Sequence, residues 1–370
     1  MISELFQSNC IKLGKFTLKN GDISKYYFDM KNLISNPSLL KTIGDELYNI
    51  LDDFDIICGV PYGALPIATY ISTKYNKPLI YVRDKVKQYG TQKLIEGEFN
   101  INDRCVIIDD VITSGNSLNS SIDVLKDKVN IVDVAVVLNR QQNPICSLPF
   151  KSLLYKNDIT RYLLKNINHT KKSNLIFSAD LQNTTEILNI LDLVGEHIVA
   201  CKIHYDIIHD INDDFIFQLI DKSIKFNFLI MEDRKFNDIS YIVNKQYEKY
   251  RNWVDLITVH SLVSNDVVSA LSGVLLVANM SNNNYDFTDK ALELANNNHN
   301  SVIGFITQKY IKFNNMVCMT PGISINQNTI DDQRYNTHNN VDTDYIIVGR
   351  AIYQTDKDNI ISVINTLLNK

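Results

Sequence analysis

The sequence lacks a surplus of positive charge and lacks paired cysteines. Lys and Arg number 37 against 42 Asp and Glu, which gives a net charge of −5, whereas a general nucleic-acid binder usually carries a basic surplus. The six cysteines are scattered and none forms a CxxC pair, so neither a zinc site nor a disulfide framework is predicted. No nucleic-acid partner is expected. Small anionic substrates remain open, because they need only local clusters of Lys and Arg.

Long apolar runs are also missing. The first residues, MISELFQSNC, have neither the basic start nor the apolar stretch of a signal peptide. No segment approaches the roughly 20 apolar residues that cross a bilayer. A cytoplasmic enzyme without a membrane partner is therefore expected, and 370 residues are enough for two domains.

In the first half, short apolar runs alternate with helical patterns. The runs predicted as strands are DIICGV, PLIYVR, CVIIDDVI and VDVAVVLN. Helices are predicted from Pro37 to Leu51 and from Ser117 to Lys126. This alternation predicts an α/β fold with a mostly parallel sheet flanked by helices, and ligands of such sheets bind beyond the carboxyl ends of the strands.

The second half holds eight apolar runs, most of them separated by a helix-sized segment. They are NLIFSAD, IVACKI, NFLIMED, LITVH, VLLVANM, SVIGFIT, VCMTPG and YIIVGR. Eight such strands predict a (β/α)8 TIM barrel, whose catalytic residues lie at the carboxyl ends of the strands. Polar residues stand at six of these ends, namely Asp180, Lys202, Asp233, His260, Ser281 and Arg350. These ends indicate a site, although strands that simply end in polar turns would look alike.

The segment from 155 to 174 joins the halves and reads as one helix, without a Pro-, Gly- or Ser-rich linker. We predict one domain over residues 1–162 and a second over residues 163–370.

One segment of the first half has the features of a phosphate site. In CVIIDDVITSGNS, a strand ends in Asp109 and Asp110, and a small hydroxyl-rich turn then opens a helix. Gly115 lets backbone N–H groups approach an anion, and a helix N-terminus favours its charge. Carboxylates at the strand end suit ribose hydroxyls. An acidic turn followed by an ordinary N-cap is the alternative.

This segment resembles the PRPP-binding motif of type I phosphoribosyltransferases. FTLKNGDISKYYFDM, GVPYGALPIAT, the segment 83–97 and LNRQQ resemble orotate phosphoribosyltransferase in particular, over nearly all of residues 10–160. The PRPP-binding residues that the resemblance implies are Lys19, Arg83, Lys87, Tyr89, Asp109, Asp110, Val111, Ile112, Thr113, Ser114, Gly115, Asn116 and Ser117. Those implied for orotate are Phe28, Tyr62, Thr113 and Arg140. An Arg suits a planar carboxylate because its donors form a fixed fork.

The segment RDKVKQYGTQKLIEGEF lacks a clear apolar period and suits a lid that excludes water on closing. By the resemblance, Lys87 is catalytic and neutralises charge on the departing pyrophosphate. Mg²⁺ is expected to arrive with PRPP and not on ligands of the protein. A solvated charged loop is the alternative. The family usually has a basic residue at Asp84.

MEDRKFNDIS follows the third strand of the predicted barrel. Asp233 and Lys235 are two residues apart, so they face the same way in an extended chain. Lys202 and His204 have the same spacing at the end of the second strand. A barrel would bring Lys202, Asp233 and Lys235 together at its mouth, where alternating charges fix one another's ionisation. A surface ion-pair network is the alternative.

The cluster resembles the active site of orotidine 5′-monophosphate decarboxylase. SADL, CKIHYD, EDRKFNDI, NMS, TPGI and IVGRAI match that family in order over residues 174–352. The resemblance implies a reaction without a cofactor, a homodimer in which Asp238 reaches the partner's site, and Lys202, Asp233, Lys235 and Asp238 as catalytic residues. The nucleotide-binding residues implied are Asp180, Lys202, His204, Ser281, Pro321, Gln333, Tyr335, Gly349 and Arg350.

The chain departs from that family at four places. Ser240-Tyr241-Ile242 stands where the family has GNT, and Asn279 stands where it has Glu. The loop after Ser281 is short and lacks glycine, and the usual arm before the first barrel helix is missing. We expect weakened substrate affinity with the chemistry retained.

The order of the two matches resembles the bifunctional UMP synthases, in which orotate and PRPP give orotidine monophosphate and then UMP and CO₂. Two alternatives stay open. One is an active phosphoribosyltransferase whose barrel only binds nucleotide or acts as a scaffold. The other is a non-enzymatic nucleotide sensor.

Overall fold

The fold is described from a computed structural model, which describes residues 1–18, 21–83, 93–140, 146–282, 285–325, 329–330, 333–334 and 336–369. The chain forms two compact units. Met1–Lys12 and Tyr27–Lys156 make up the first, and Leu13–Tyr26 and Asn157–Lys370 make up the second. The chain passes from one unit to the other three times, and the last change, after Lys156, lies within the predicted join. The division into 1–162 and 163–370 stays a prediction.

The chain begins with helix α1 (Ile2–Gln7) and a two-stranded sheet of β1 (Ile11–Thr17) and β2 (Ile23–Phe28). A 3-10 helix at Met30–Ser35 follows. The other helices of the first unit are α2 (Pro37–Ile50), α3 (Leu65–Tyr75) and α4 (Asn116–Leu125). Its remaining strands are β3 (Ile56–Gly59), β4 (Leu79–Val82), β5 (Ile95–Glu96), β6 (Arg104–Ile112), β7 (Asn130–Asn139) and β8 (Lys151–Tyr155).

These six strands form one sheet in the order β5-β4-β3-β6-β7-β8. All neighbours pair parallel except β4 and β5. The centre of the sheet is apolar because helices cover it: every residue of β3 is buried. α2 begins where the Asn36 side chain accepts a hydrogen bond from the Leu39 N–H and Pro37 occupies the first turn. The predicted α/β sheet is confirmed, and its helices end within one residue of the predicted bounds.

Helix α5 (Lys156–Lys171) occupies the predicted join. The strands of the barrel are β9 (Leu175–Ala179), β10 (Ala200–Ile203), β11 (Leu229–Phe236), β12 (Leu256–His260), β13 (Val274–Val277), β14 (Val302–Ile306), β15 (Val317–Thr320) and, after four short strands, β20 (Tyr345–Val348). They close into a barrel in the order β9 through β15 and then β20, with parallel pairing throughout. All eight runs predicted from sequence form these strands, so the (β/α)8 barrel is confirmed.

The helices around the barrel are α6 (Thr184–Val194), α7 (Asp213–Lys225), α8 (Ser240–Tyr247), α9 (Asn265–Ser269), α10 (Thr288–Asn297), α11 (Arg350–Tyr353) and α12 (Ile360–Leu367). The four short strands are β16 (Ile323–Ser324), β17 (Thr329–Ile330), β18 (Gln333–Arg334) and β19 (Asn336–Thr337). Further 3-10 helices lie at Tyr205–Ile207, His338–Asn340 and Lys357–Asn359. In the described part of the chain, every helix is too short or too polar to traverse a lipid bilayer.

Candidate functional site

A cluster of charged side chains lies at the mouth of the barrel. Lys202 at the end of β10 places its Nζ 2.8 Å from Asp233 Oδ2 and 3.2 Å from Asp180 Oδ1. Lys235 Nζ lies 2.9 Å from Asp233 Oδ1. His204 Nε2 lies 3.0 Å from Lys202 Nζ and 3.3 Å from Asp233 Oδ2. The acids and amines therefore alternate, as the two-residue spacings predict.

The cluster fixes its own charges. Burial opposes ionisation of Asp233, but the ammonium groups of Lys202 and Lys235 outweigh it and lower the pKa of that carboxyl. Burial would likewise neutralise Lys202, yet Asp233 and Asp180 raise its pKa. Burial, assisted by Lys202, lowers the pKa of His204 to about 4. At neutral pH the carboxylates and Lys202 are charged and the imidazole is neutral.

The cluster opens into a cavity of about 370 Å³, a size that suits a small molecule. Nine residues predicted for this half line it, namely Asp180, Lys202, His204, Asp233, Lys235, Ser281, Pro321, Gly349 and Arg350. They come from both ends of the barrel sequence and meet because the carboxyl ends of parallel strands share one rim. The structure thus favours a site over isolated polar strand ends.

Three predicted residues are not placed in this cavity. Asp238 is exposed and its carboxylate accepts a hydrogen bond from the N–H of Ile239. Gln333 lies in β18, where only the backbone is described, and Tyr335 lies outside the described residues. Their roles stay predictions.

Sequence analysis missed residues that support the cluster. The hydroxyl of Ser178 lies 2.9 Å from both oxygens of Asp180 and orients that carboxylate. The hydroxyl of Thr258 donates to Asp233 Oδ1 at 2.7 Å. Both are polar residues within apolar runs, and each stands two residues before a strand-end residue that was singled out, Asp180 or His260. That spacing could have revealed them.

The position where the family has Glu is occupied by a residue that anchors the short loop. Asn279 Oδ1 accepts hydrogen bonds from Thr307 Oγ1 at 2.8 Å and from the N–H of Gln308 at 3.4 Å. Asn279 also forms an isolated antiparallel bridge with Asp286. The first and last parts of the loop are therefore tied together next to Ser281.

In the first unit, β6 ends in a pair of carboxylates. Asp109 is buried, and its Oδ1 accepts the N–H of Asp110 at 2.8 Å. Asp110 Oδ1 accepts the N–H of Val111 at 2.8 Å. Burial, together with the neighbouring Asp110, raises the pKa of Asp109, and burial also raises the pKa of Asp110. Two acids held this way favour ligands that donate hydrogen bonds or bring positive charge.

The turn after these acids has the predicted geometry. Val111 and Ile112 complete β6, Thr113 and Ser114 form a bend, and Asn116 and Ser117 begin α4. Gly115 stands before the helix with a φ of 83°, a conformation that glycine adopts without strain. The strand–turn–helix unit therefore presents backbone N–H groups beside the acid pair.

The other residues predicted for this unit are placed as follows. The guanidinium of Arg140 lies 5.7 Å from the centre of the Phe28 ring, so two residues expected at orotate come together. Arg83 Nη1 forms an ion pair with Glu96 Oε1 at 2.7 Å. Tyr62 is 68% exposed, which leaves its ring available to a ligand. Three predicted residues lie outside the described part, namely Lys19, Lys87 and Tyr89.

Within the described residues, no group of three or more His, Cys, Asp or Glu side chains could hold a metal ion. The acid pair Asp109 and Asp110 supplies hard oxygen donors of the kind that Mg²⁺ takes. These residues fit a cation that arrives with most of its ligands.

Known proteins match both units. Residues 173–359 match the orotidine 5′-phosphate decarboxylase / HUMPS family, and residues 29–146 match the phosphoribosyl transferase domain. The uridine 5′-monophosphate synthase of Bos taurus is 29% identical and is matched over 95% of this chain and 92% of its own length. That of Naegleria gruberi is 29% identical over 97% and 93%. The orotate phosphoribosyltransferase of Pyrococcus abyssi is 39% identical over 38% of this chain and 81% of its own.

These two synthases are matched over nearly the whole of this chain, which carries both family matches. The chain belongs to the orotate phosphoribosyltransferases in its first half and to the orotidine 5′-phosphate decarboxylase / HUMPS family in its second, which is the combination of the bifunctional UMP synthases.

Proposed function

We propose that the acid pair of the first unit and the charged cluster of the second carry the two successive reactions of a bifunctional UMP synthase. Orotate and PRPP give orotidine 5′-monophosphate and pyrophosphate, and the nucleotide then loses CO₂ to give UMP. The observation that carries the proposal is the ladder of Lys202, Asp233 and Lys235, whose neighbouring groups lie within 3 Å of one another inside a cavity.

In the first reaction, N1 of orotate bonds to C1 of the ribose while the bond from C1 to pyrophosphate breaks. Asp109 and Asp110 accept hydrogen bonds from the ribose hydroxyls, which suits two adjacent carboxylates near the end of β6. The backbone around Gly115 holds the 5-phosphate. Arg140, beside Phe28, binds the planar carboxylate of orotate through its fork of donors. These contacts hold both reactants in line for transfer.

The leaving pyrophosphate needs positive charge. We assign this role to Lys87, helped by Lys19, Arg83 and Tyr89, on the strength of the family resemblance. Mg²⁺, bound through the oxygens of PRPP, would supply further neutralisation of the pyrophosphate when present.

In the second reaction, the bond from C6 of the pyrimidine to the carboxylate breaks and its electron pair stays on C6. Asp233 faces the substrate carboxylate and remains ionised because Lys202 and Lys235 hold its charge. Lys235 stabilises the negative charge that develops on C6 and transfers a proton to it as CO₂ leaves. Charges fixed before the reaction favour the transition state more than the bound substrate.

The rest of the cavity binds the nucleotide. Asp180 and His204 lie beside Lys202 and can bond the ribose, while Ser281 and Pro321 face the pyrimidine. Gly349 and Arg350, which follow β20, also line the cavity and hold the phosphate together with Gln333 and Tyr335. Binding energy from the phosphate helps to drive the chemistry at C6.

We also propose a homodimer in which Asp238 completes the partner's site. Asp238 is exposed, as such a role requires. Ile239 and Tyr241, which follow it, are each 68% exposed, and large exposed apolar side chains beside a site favour a protein partner.

Complementation tests the two roles. The native chain should form UMP from orotate and PRPP. Asp110→Asn should release no pyrophosphate but decarboxylate added orotidine monophosphate, and Lys235→Ala should show the reverse. An equal mixture of the two variants should restore UMP. A native chain that stops at orotidine monophosphate would instead support the phosphoribosyltransferase with an inactive barrel, which the anchored short loop at Asn279 favours.

A further inference from the structure

Strand β11, which carries Asp233 and Lys235, is irregular at these residues. Glu232 of β11 pairs with Ile257 of β12, and Phe236 pairs with Val259. The three residues 233–235 therefore lie opposite a single residue, Thr258. Lys235 has a φ of 50°, which is the left-handed region that a side chain makes unfavourable. Such a bulge interrupts the ladder of backbone hydrogen bonds and leaves polar groups in need of partners.

The hydroxyl of Thr258 supplies those partners. It accepts a hydrogen bond from the backbone N–H of Lys235 at 2.9 Å and donates one to Asp233 Oδ1 at 2.7 Å. Thr258 is fully buried, and it does not line the substrate cavity. The Thr258 hydroxyl thus fixes both the backbone of Lys235 and the carboxylate of Asp233. It does so from outside the cavity, where it cannot contact the nucleotide.

We infer that Thr258 is a positioning residue for decarboxylation, an inference that rests on the proposed function of the barrel. Asp233 Oδ1 takes two donors, Thr258 Oγ1 and Lys235 Nζ. If the hydroxyl is removed, the carboxylate can rotate and the half-buried N–H of Lys235 is left without its partner. The ammonium of Lys235 then no longer lies where charge develops on C6.

Removal of the hydroxyl tests this role. Thr258→Val keeps the shape of the side chain and should lower kcat for CO₂ release by about a hundredfold, the usual effect of a small misplacement. The KM for orotidine monophosphate should change by less than about threefold, since binding contacts remain. Thr258→Ser keeps the hydroxyl and should restore most of kcat. Pyrophosphate release by the first unit should be unchanged in both variants.

Thr320→Val is a matched control. Thr320 ends β15 of the same barrel and is equally buried, but its hydroxyl meets no hydrogen-bond partner among the described residues. The same substitution there should leave kcat within about twofold, since no hydrogen bond is lost. If Thr258→Val fails to fold, Thr258→Cys decides, because its volume is similar and its S–H is a weak donor.

The outcomes separate this inference from the proposed function. If the native chain releases CO₂ and Thr258→Val keeps the native kcat, the role of Thr258 alone is overturned. The same holds for Thr258→Cys if that variant is needed. The role is also overturned if kcat falls as far in Thr258→Ser as in Thr258→Val, or if Thr258→Val raises KM and leaves kcat unchanged. Absence of CO₂ release from the native chain overturns the proposed function and this inference with it.

Discussion

Lys25 Nζ lies 2.6 Å from Asp255 Oδ2, although the two residues are 230 positions apart in the chain. Both side chains are almost fully buried, at 2% and 0% exposure. The hydroxyl of Tyr26 donates to the other oxygen of Asp255, and the N–H of Ile230 donates to the same oxygen as Lys25. Residues 13–26 belong to the compact unit of the barrel, and this pair ties them to the start of β12.

Breaking this pair should destabilise the second unit. Lys25→Met leaves the Asp255 carboxylate buried without a counter-charge, which costs about 3–5 kcal/mol. Urea unfolding followed through the fluorescence of Trp253, the single tryptophan, reports on this unit. Lys15→Met is the control. Lys15 lies in the same segment as Lys25 and pairs with Asp221, but this pair is exposed, and exposed pairs contribute roughly 0–1 kcal/mol. Equal effects of the two substitutions would contradict the role of the buried pair.

Glu232 makes the stability depend on pH. The side chain is 1% exposed, and burial, with Asp233 and Asp206 adding to it, raises the pKa of Glu232 to about 8. A raised pKa means that the folded state favours the protonated acid. The stabilisation is complete below the unfolded pKa and is lost as pH rises through about 8.

Glu232→Gln should remove that dependence, because the amide stays neutral. Thermal unfolding should be measured at pH 5 and pH 9. Between these values, the free energy of unfolding of the variant should rise by on the order of 3 kcal/mol relative to that of the native chain. Glu248→Gln is the control, since Glu248 is exposed and pairs with Lys245 on the surface. A constant difference between variant and native chain across this range would exclude titration of Glu232.

Gly63 leaves room for a proposed PRPP-binding carboxylate. A Cβ at this position would overlap the Asp110 side chain, so Gly63→Ala should displace the carboxylate. We expect the KM for PRPP to rise at least about tenfold, with CO₂ release by the barrel unchanged. Because the effect acts through Asp110, Gly63→Ala combined with Asp110→Ala should be no worse than Asp110→Ala alone. Additive losses would contradict this mechanism.

The barrel and its charged ladder were predictable because their signals are local. Strands of a parallel barrel are buried on both faces, so each appears as a continuous apolar run. In a regular strand, the two-residue spacing of Asp233 and Lys235 would place both side chains on one face, and in β11 the two groups do pair, at 2.9 Å, although the strand is irregular there. Closure of the barrel then brings Lys202 to them.

Contacts that depend on distant partners were not predictable. Nothing in ISKYYF indicates that Lys25 would be buried against Asp255, because the partner lies just before β12, far along the chain. The role of Thr258 depends on a register shift between β11 and β12, which an apolar pattern does not encode. The position of Asn279 at the base of the short loop likewise depends on Thr307, which directly follows β14.

The release of labelled CO₂ from carboxyl-labelled orotidine 5′-monophosphate tests the proposed chemistry of the barrel. The purified full chain should release it at the same rate with and without a metal chelator, because the proposed mechanism uses only the charges of Asp233 and Lys235 and no cofactor. Lys235→Ala should reduce release by at least about 10⁴-fold, since each tenfold loss corresponds to about 1.4 kcal/mol of transition-state stabilisation. Native release no faster than that of Lys235→Ala, or release abolished by the chelator, would contradict the assignment.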